Sequence, residues 1–208
     1  ACDGLAGVSA SQVEIQSGIQ FYDGMSTADI QEILVRSASD LIDLDAPNYQ
    51  YVASRLLLFG LRKNLYGRLH ELPTLIDQIT RGVDKGIYDA DILKKYNKDE
   101  INTLDTIIEH NRDYLFTYAG MRQVTDKYLV QDRSTGEVYE TPQFMYMLIA
   151  MTIFAEYPEE NRLDYVTRYY NAISKHKINI PTPIMGGVRT PIRQFASCVL
   201  VDIDDTLD

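Results

Sequence analysis

Apolar residues recur at helical spacing along most of the chain, and this pattern predicts a mainly α-helical fold. The spacing predicts a first helix that starts at Ser9 and ends at Gly24. Its candidate core contacts are Val13, Ile15, Ile19 and Phe21.

Two further helices are predicted in the N-terminal third. Ser26 and Asp29 have the spacing of a capping box at the start of the second helix. Its apolar positions are Ile30, Ile33, Leu34, Ala38, Leu41 and Ile42. Pro47 suits the first turn of a third helix, whose apolar run at 56–59 predicts that it is largely buried.

The middle of the chain, from about Leu72 to Asn111, predicts amphipathic helices with breaks near Gly86 and Asn97. Acidic residues here resemble solvated helix faces rather than paired catalytic acids: Asp99, Glu100, Asp105, Glu109 and Asp113. Because His110 and Arg112 lie beside Asp113, a buried hydrogen-bond cluster is also expected there.

A β-hairpin and two strong helices are predicted next. Segments 128–130 and 137–139 flank a turn that contains Gly136. Thr141 can cap the following helix, with Pro142 in its first turn and residues 144–155 apolar on all sides. Another helix is predicted from Glu159 to Ser174. Its inward positions are Leu163, Val166, Tyr170 and Ile173.

The segment 178–203 combines prolines, glycines and a final apolar run. Its prolines at 181, 183 and 191 predict that most of it is not helical, and Gly186–Gly187 permits a tight turn. Residues 197–201 read as a buried strand, which would place Ser197 and Cys198 where a loop enters a sheet. A lone strand would leave its edges unpaired, so we expect a larger polypeptide or a complementing chain.

Composition narrows the class of protein. The 208 residues carry a net charge of −10, which argues against a nonspecific nucleic-acid binder. Two cysteines, Cys2 and Cys198, fit a reducing cytoplasm, and no signal peptide is recognised. The longest apolar run, 144–155, is shorter than the roughly 20 residues of a membrane span, and three scattered histidines predict no metal site.

Several long segments carry a resemblance to a known family. The segments are SGIQFYDGMSTADI, YQYVASRLLLFGLRKNLYG, KYLVQDRSTGEVYETPQF and PTPIMGGVRTPIRQFASCVL. In this order they resemble the N-terminal part of the large (α) subunit of class I ribonucleotide reductase. The resemblance implies three regions: the later part of an ATP-cone module at 1–67, a helical domain at 68–176, and the start of a ten-stranded α/β barrel at 177–208.

The resemblance also implies a reaction, the radical-based reduction of ribonucleoside diphosphates to deoxyribonucleoside diphosphates. Cys198 matches one of the two reducing thiols, and Thr182 and Ser197 match substrate contacts. Read from the residues alone, Cys198 would be a buried structural thiol, and the two hydroxyls would make local turn hydrogen bonds. Arg189 and Arg193 could attract phosphate or form surface ion pairs.

Effector sites are implied in two places. Thr27 and Lys63 match residues that bind the activity effector, ATP or dATP, although a helix cap and a charge at a helix C-terminus also explain them. Asp205, with Thr206 and Leu207 after it, matches the site of a (d)NTP specificity effector, where an ordinary acidic turn is the alternative. Asp204 replaces a glycine that is common in the family at that position.

The resemblance implies several partners. They are a small subunit that generates a radical with a metal cofactor, a thioredoxin or glutaredoxin reductant, the remainder of the large subunit or a complementing chain, and a second copy in a homodimer or higher oligomer. No cofactor or metal is expected within this segment, and neither nucleic acid nor a membrane is expected as a partner.

Two other functions fit the sequence. The segment could act alone as a noncatalytic regulatory or assembly fragment of the same enzyme. Alternatively, Asp202, Asp204 and Thr206 follow an apolar run, as in the haloacid-dehalogenase phosphotransferases, in which two aspartates bind Mg²⁺ and perform the chemistry. That motif is short and would require a full α/β domain after it.

Overall fold

A computed structural model describes residues 1–67, 70–132 and 134–201. Within these residues the chain forms ten α-helices joined by short connections, with a 3₁₀ helix at His110–Leu115 and a π-helical segment at Val124–Tyr128. The α-helices are α1 (Ala10–Gly18), α2 (Thr27–Asp40), α3 (Tyr49–Tyr66), α4 (Leu75–Asp84), α5 (Ile92–Lys95), α6 (Lys98–Asp105), α7 (Tyr118–Gln123), α8 (Pro142–Ile153), α9 (Glu159–Ser174) and α10 (Thr182–Gly187).

Helices α1, α2 and α3 pack together in the N-terminal region, with α2 and α3 in close contact. Their small core consists of Val13, Ala38, Tyr49, Val52 and Ala53. The predicted first helix is wrong in length, because α1 ends at Gly18. Of its four predicted core contacts only Val13 is buried, where it joins the core residues of α2 and α3; Ile15, Ile19 and Phe21 are exposed.

The predicted caps of this region are confirmed in part. The Ser26 hydroxyl accepts a hydrogen bond from the Asp29 backbone N–H at 3.1 Å, as expected at the start of α2. Pro47 lies just before the N-cap of α3, Asn48, and so outside its first turn. In the apolar run of α3 only Leu58 is fully buried, and its neighbours are half-buried.

The main core surrounds α8. Residues 144–151 are all buried, which confirms the prediction of a central apolar helix. Helix α9 packs against α8 and has the predicted bounds, Glu159–Ser174. Val166, Tyr170 and Ile173 are buried as predicted, and Leu163 is half-buried.

The predicted breaks in the middle region are confirmed. Gly86 has a φ of +69°, a left-handed conformation that ends α4, and Asn97 forms a capping box with Glu100 at the start of α6. The prediction of solvated acidic faces is wrong for Asp113 and Glu100, whereas the expectation of a buried hydrogen-bond cluster around Asp113 is confirmed. Asp113 is fully buried in an ion pair with Arg62, and Glu100 is largely buried in an ion pair with Arg162.

The predicted hairpin is reduced to one antiparallel bridge between Gln131 and Val138. The chain still reverses here, since the Tyr139 N–H donates to the Val130 carbonyl at 2.9 Å. The first predicted strand is wrong in part, because Tyr128 ends the π-helical segment instead. Thr141 is the N-cap residue of α8, but its hydroxyl makes no capping hydrogen bond.

The C-terminal segment differs most from its prediction. It contains α10, in which Pro181 is the N-cap residue and Pro183 lies in the first turn. Proline is compatible with these positions, because the first backbone N–H groups of a helix have no intrahelical acceptor. The predicted buried strand at 197–201 is also wrong: these residues are exposed, and no β-bridge joins them to another described segment.

Candidate functional site

Thr182 lies in the first turn of α10, with an exposed side chain. Its hydroxyl lies 3.5 Å from the hydroxyl of Tyr128, at the outer limit of a hydrogen bond. Pro183 restricts the backbone torsion angles of Thr182, and the ring of Pro181 fixes φ at the residue before it. An exposed hydroxyl on a restrained backbone can donate a hydrogen bond to a phosphate oxygen.

Ser197 and Cys198 are also exposed, in the extended stretch after α10. The Ser197 hydroxyl lies 3.8 Å from the Cys198 sulfur. The expectation of a buried thiol in a sheet is therefore wrong for the described residues, and Cys198 is a free, exposed cysteine. Exposure makes a thiol accessible to thiol–disulfide exchange. Within the part of the chain that the structure describes, no hydrogen bond joins this pair to Thr182.

A fully buried ion pair, Arg189 with Glu140, anchors the segment that carries these residues. The Arg189 Nε atom lies 3.0 Å from both carboxylate oxygens, and Nη2 also contacts the carboxylate. Glu140 further accepts hydrogen bonds from the Val130 N–H and the Tyr88 hydroxyl, both at 2.8 Å. The pair therefore joins α10 to the chain reversal at 130–139 and to the loop after α4.

The remaining donors of Arg189 hold the backbone nearby. Nη1 donates to the Met185 carbonyl at 2.5 Å, and Nη2 donates to the Tyr128 carbonyl at 2.8 Å. The expectation that Arg189 attracts phosphate or pairs at the surface is wrong, because its side chain is completely buried. Arg193 does form a partly exposed pair, with Asp89.

The turn at Asp89 is a second anchor for the same segment. The Asp89 N–H donates to the Arg189 carbonyl at 3.0 Å. The pKa of the Asp89 carboxyl is lowered, first by the hydrogen bond from the Asp91 backbone N–H and also by Arg193. The carboxylate is thus held in its charged form, ready to pair with Arg193.

Tyr88 lies in contact with both α4 and the buried pair. Burial raises the pKa of its hydroxyl well above the ordinary value, and the Glu140 carboxylate raises it further. The neutral hydroxyl donates to Glu140 and accepts from the Gln78 amide at 2.8 Å. Its ring lies so close to Gly82 that a side chain there would overlap it.

Thr27 and Lys63, the predicted activity-effector residues, are both exposed. Thr27 begins α2, and Lys63 lies in the last turn of α3. The Gln31 side chain packs on Gly60 and donates to the Leu56 carbonyl at 2.7 Å, which sets the register of the two helices. Because the helices are antiparallel, this register puts Thr27 and Lys63 at the same end of the pair.

A cavity of about 310 Å³ lies beside that end, between α2, α3 and α7. Its polar lining includes Gln31, Glu32, Asn64 and Arg122. Neither Thr27 nor Lys63 lines it.

The specificity-effector residues Asp205, Thr206 and Leu207 lie outside the described residues, as do Asp202 and Asp204 of the phosphotransferase alternative. Where the structure describes the chain, it contains no group of three or more His, Cys, Asp or Glu side chains that could hold a metal ion. No helix among the described residues is long and apolar enough to cross a membrane.

The sequence prediction missed three residues that organise the site, Tyr88, Tyr128 and Glu140, and it gave Arg189 a different role. One feature of the sequence could have revealed the buried pair: the charged residue Glu140 lies two residues before the highly apolar helix α8. A charge in such surroundings needs a buried partner. The pattern gave no sign that the partner lay 49 residues away.

A comparison with protein families indicates the class of protein to which the chain is similar. The family model described as "Ribonucleotide reductase, all-alpha domain" matches residues 114–193, which include α7 to α10 and the buried pair. The matched region thus has the helical architecture that the family description gives.

Curated relatives extend the match to the whole chain. It is 53% identical over 208 residues to ribonucleoside-diphosphate reductase 1 subunit alpha of Escherichia coli. It is 51% identical to the alpha subunit of Haemophilus influenzae, and 46% identical over 203 residues, or 97% of the chain, to that of Enterobacteria phage T4. The chain spans 27% of the length of each of these relatives. It belongs to the family of ribonucleotide reductase large subunits and corresponds to an N-terminal part of one.

Proposed function

We propose that the chain is part of a large subunit that reduces ribonucleoside diphosphates to deoxyribonucleoside diphosphates. The observation that carries the proposal is 53% identity, along the entire chain, to a relative named as such a reductase. The exposed free thiol of Cys198 supports it, because a reducing thiol must be reached both by substrate and by an external reductant.

In the proposed reaction Cys198 is one of two thiols that supply the electrons. The ribose 2′-hydroxyl leaves as water, a hydrogen takes its place, and the two thiols become one disulfide. The second thiol comes from the remainder of the large subunit or a complementing chain. A thioredoxin or glutaredoxin then reduces the disulfide by exchange, which requires a reducing compartment such as the cytoplasm.

Thr182 and Ser197 are the proposed substrate contacts in this segment. The exposed hydroxyl of Thr182 binds the diphosphate, and Ser197 contacts the nucleotide next to Cys198. The two anchors at Glu140 and Asp89 support these roles, since they fix the start of the segment on the helical body.

Two nucleotide effectors are part of the proposal. ATP or dATP binds at Thr27 and Lys63, and their placement at one end of the α2–α3 pair supports this assignment. A (d)NTP specificity effector binds at Asp205, Thr206 and Leu207. We further propose a homodimer or higher oligomer of the large subunit, with a small subunit whose metal cofactor supplies the radical that activates the sugar. The proposed ATP-cone, helical-domain and barrel regions keep the bounds predicted from the sequence.

The test is reductase activity of a complete large subunit that contains this chain, assayed with a small subunit, a ribonucleoside diphosphate and a dithiol reductant. Cys198→Ser is expected to abolish multiple turnover, because one electron donor of the pair is lost. Cys2→Ser is the matched control, since Cys2 packs against the N-terminal core, and it is expected to leave turnover unchanged. Wild-type turnover in Cys198→Ser would refute the role of Cys198.

A further inference from the structure

We propose that Tyr128 is a positioning residue for Thr182, and that the buried Arg189 holds Tyr128 in the place where it can act. The Tyr128 hydroxyl restricts the orientation of the Thr182 hydroxyl before substrate binds. The inference rests on the proposed function, because it takes Thr182 as the contact to the substrate diphosphate.

The Arg189 guanidinium links the two backbone segments that carry these hydroxyls. Arg189 donates from Nη1 to the carbonyl of Met185, less than one turn after Thr182 on α10. It donates from Nη2 to the carbonyl of Tyr128 at 2.8 Å. Arg189 therefore links α10 to the end of the π-helical segment, two elements that also pack against each other.

Buried contacts hold the Arg189 guanidinium in this position. Glu140 is fully buried and holds Nε through both of its carboxylate oxygens. Tyr88 and the Val130 N–H hold the carboxylate in turn. Moving the arginine into solvent would leave a buried carboxylate without its counter-charge, which is costly. A planar guanidinium can satisfy all of these acceptors at once, whereas a lysine ammonium cannot.

The side chain of Thr182 has more conformational freedom than its backbone. Pro181 and Pro183 restrict the backbone around it, so rotation of the side chain is the main remaining motion. Among the described residues, the Thr182 hydroxyl lies within hydrogen-bonding distance of the Tyr128 hydroxyl, at 3.5 Å. Each hydroxyl can donate or accept, so the Thr182 hydroxyl can donate a hydrogen bond to a phosphate oxygen while Tyr128 donates to the Thr182 oxygen.

The experiment is a double-mutant cycle in the complete, assembled reductase, with kcat and KM measured for one ribonucleoside diphosphate. Tyr128→Phe removes only the hydroxyl and keeps the carbonyl that accepts from Arg189. It is expected to raise KM about threefold with little change in kcat, as for the loss of one weak hydrogen bond. Thr182→Val is expected to raise KM about tenfold. In the double variant, Tyr128→Phe is expected to add nothing further.

Tyr139→Phe is the matched control, because the Tyr139 hydroxyl bonds to the exposed Glu137 at 3.3 Å and should leave KM unchanged. If the effects of Tyr128→Phe and Thr182→Val multiply, the tyrosine acts independently and the positioning role is refuted. If Thr182→Val raises KM and Tyr128→Phe does not, the positioning role alone fails. If Thr182→Val leaves KM unchanged, the proposed substrate contact fails, and this inference fails with it.

Discussion

The buried pair of Arg189 and Glu140 gives the most quantitative prediction of the structure. Glu140→Gln keeps the size of the side chain and removes its charge, so the arginine remains buried without a counter-charge. Both side chains are fully buried, so solvent cannot compensate. Breaking one partner of such a pair costs about 3–5 kcal/mol of folding free energy.

The structure indicates which part of that cost applies here. Two of the arginine donors keep their carbonyl acceptors, at Met185 and Tyr128, which limits the loss. Nε loses its carboxylate and would face the amide, which offers one acceptor and two donors. The Tyr88 hydroxyl would also donate its hydrogen bond to a neutral group instead of a charged one. We therefore expect the lower half of the range, about 3–4 kcal/mol.

The assay is urea unfolding at pH 7, comparing the free energy of unfolding of the variant with that of the wild type. The matched control is Glu32→Gln, which removes the same charge from an exposed pair with Arg36 on α2. That change is expected to cost less than about 0.5 kcal/mol. A loss below about 1 kcal/mol for Glu140→Gln would show that the pair is not the anchor that the structure indicates.

Two further predictions address stability. Gly82→Ala is expected to cost about 2–3 kcal/mol in urea unfolding because the methyl group would overlap the Tyr88 ring, whereas Gly18→Ala, in open space, should be neutral or stabilising; equal effects would contradict the packing. Burial, with a smaller contribution from Arg62, lowers the pKa of His110 to about 4, so the unfolded state binds a proton first as the pH falls. Stability should therefore decrease from pH 7 to pH 5 by about 2 kcal/mol more in the wild type than in His110→Phe, and identical pH profiles would refute this.

The sequence pattern predicts those helices whose own residues carry the signal of burial. Helix α9 has its predicted bounds because its apolar residues recur at helical spacing and charged residues flank them. Helix α8 was predicted because it is apolar on all sides. For α1 the apolar spacing is misleading, since only Val13 of its four predicted contacts reaches the core and Ile19 is 81% exposed.

The remaining features depend on partners that the local pattern does not reveal. The prolines at 181 and 183 predict a break in helical structure, but they lie at positions of α10 where a helix tolerates proline. The apolar stretch after Cys198 suggested a strand, yet a strand exists only where another segment pairs with it. The local pattern places Glu100 and Asp113 on solvated faces, because it cannot reveal arginine partners that lie 62 and 51 residues away.

The candidate site residues divide in the same way, into those that the sequence reveals and those that depend on contacts with distant residues. The resemblance supplied Thr182, Ser197 and Cys198, and the structure shows all three exposed on one anchored segment. It could not supply Tyr128 and Arg189, whose importance follows from contacts across the fold.

The central claim is that Cys198 donates electrons to the substrate, and its redox state after turnover tests this directly. The complete large subunit would react once with a ribonucleoside diphosphate and the small subunit, without an external dithiol. Free thiols would then be alkylated and the peptide that contains Cys198 identified by mass spectrometry. We expect Cys198 to be recovered in a disulfide, with one deoxyribonucleotide formed for each two thiols lost. Recovery of Cys198 as a fully alkylated free thiol, with product formed, would contradict the account.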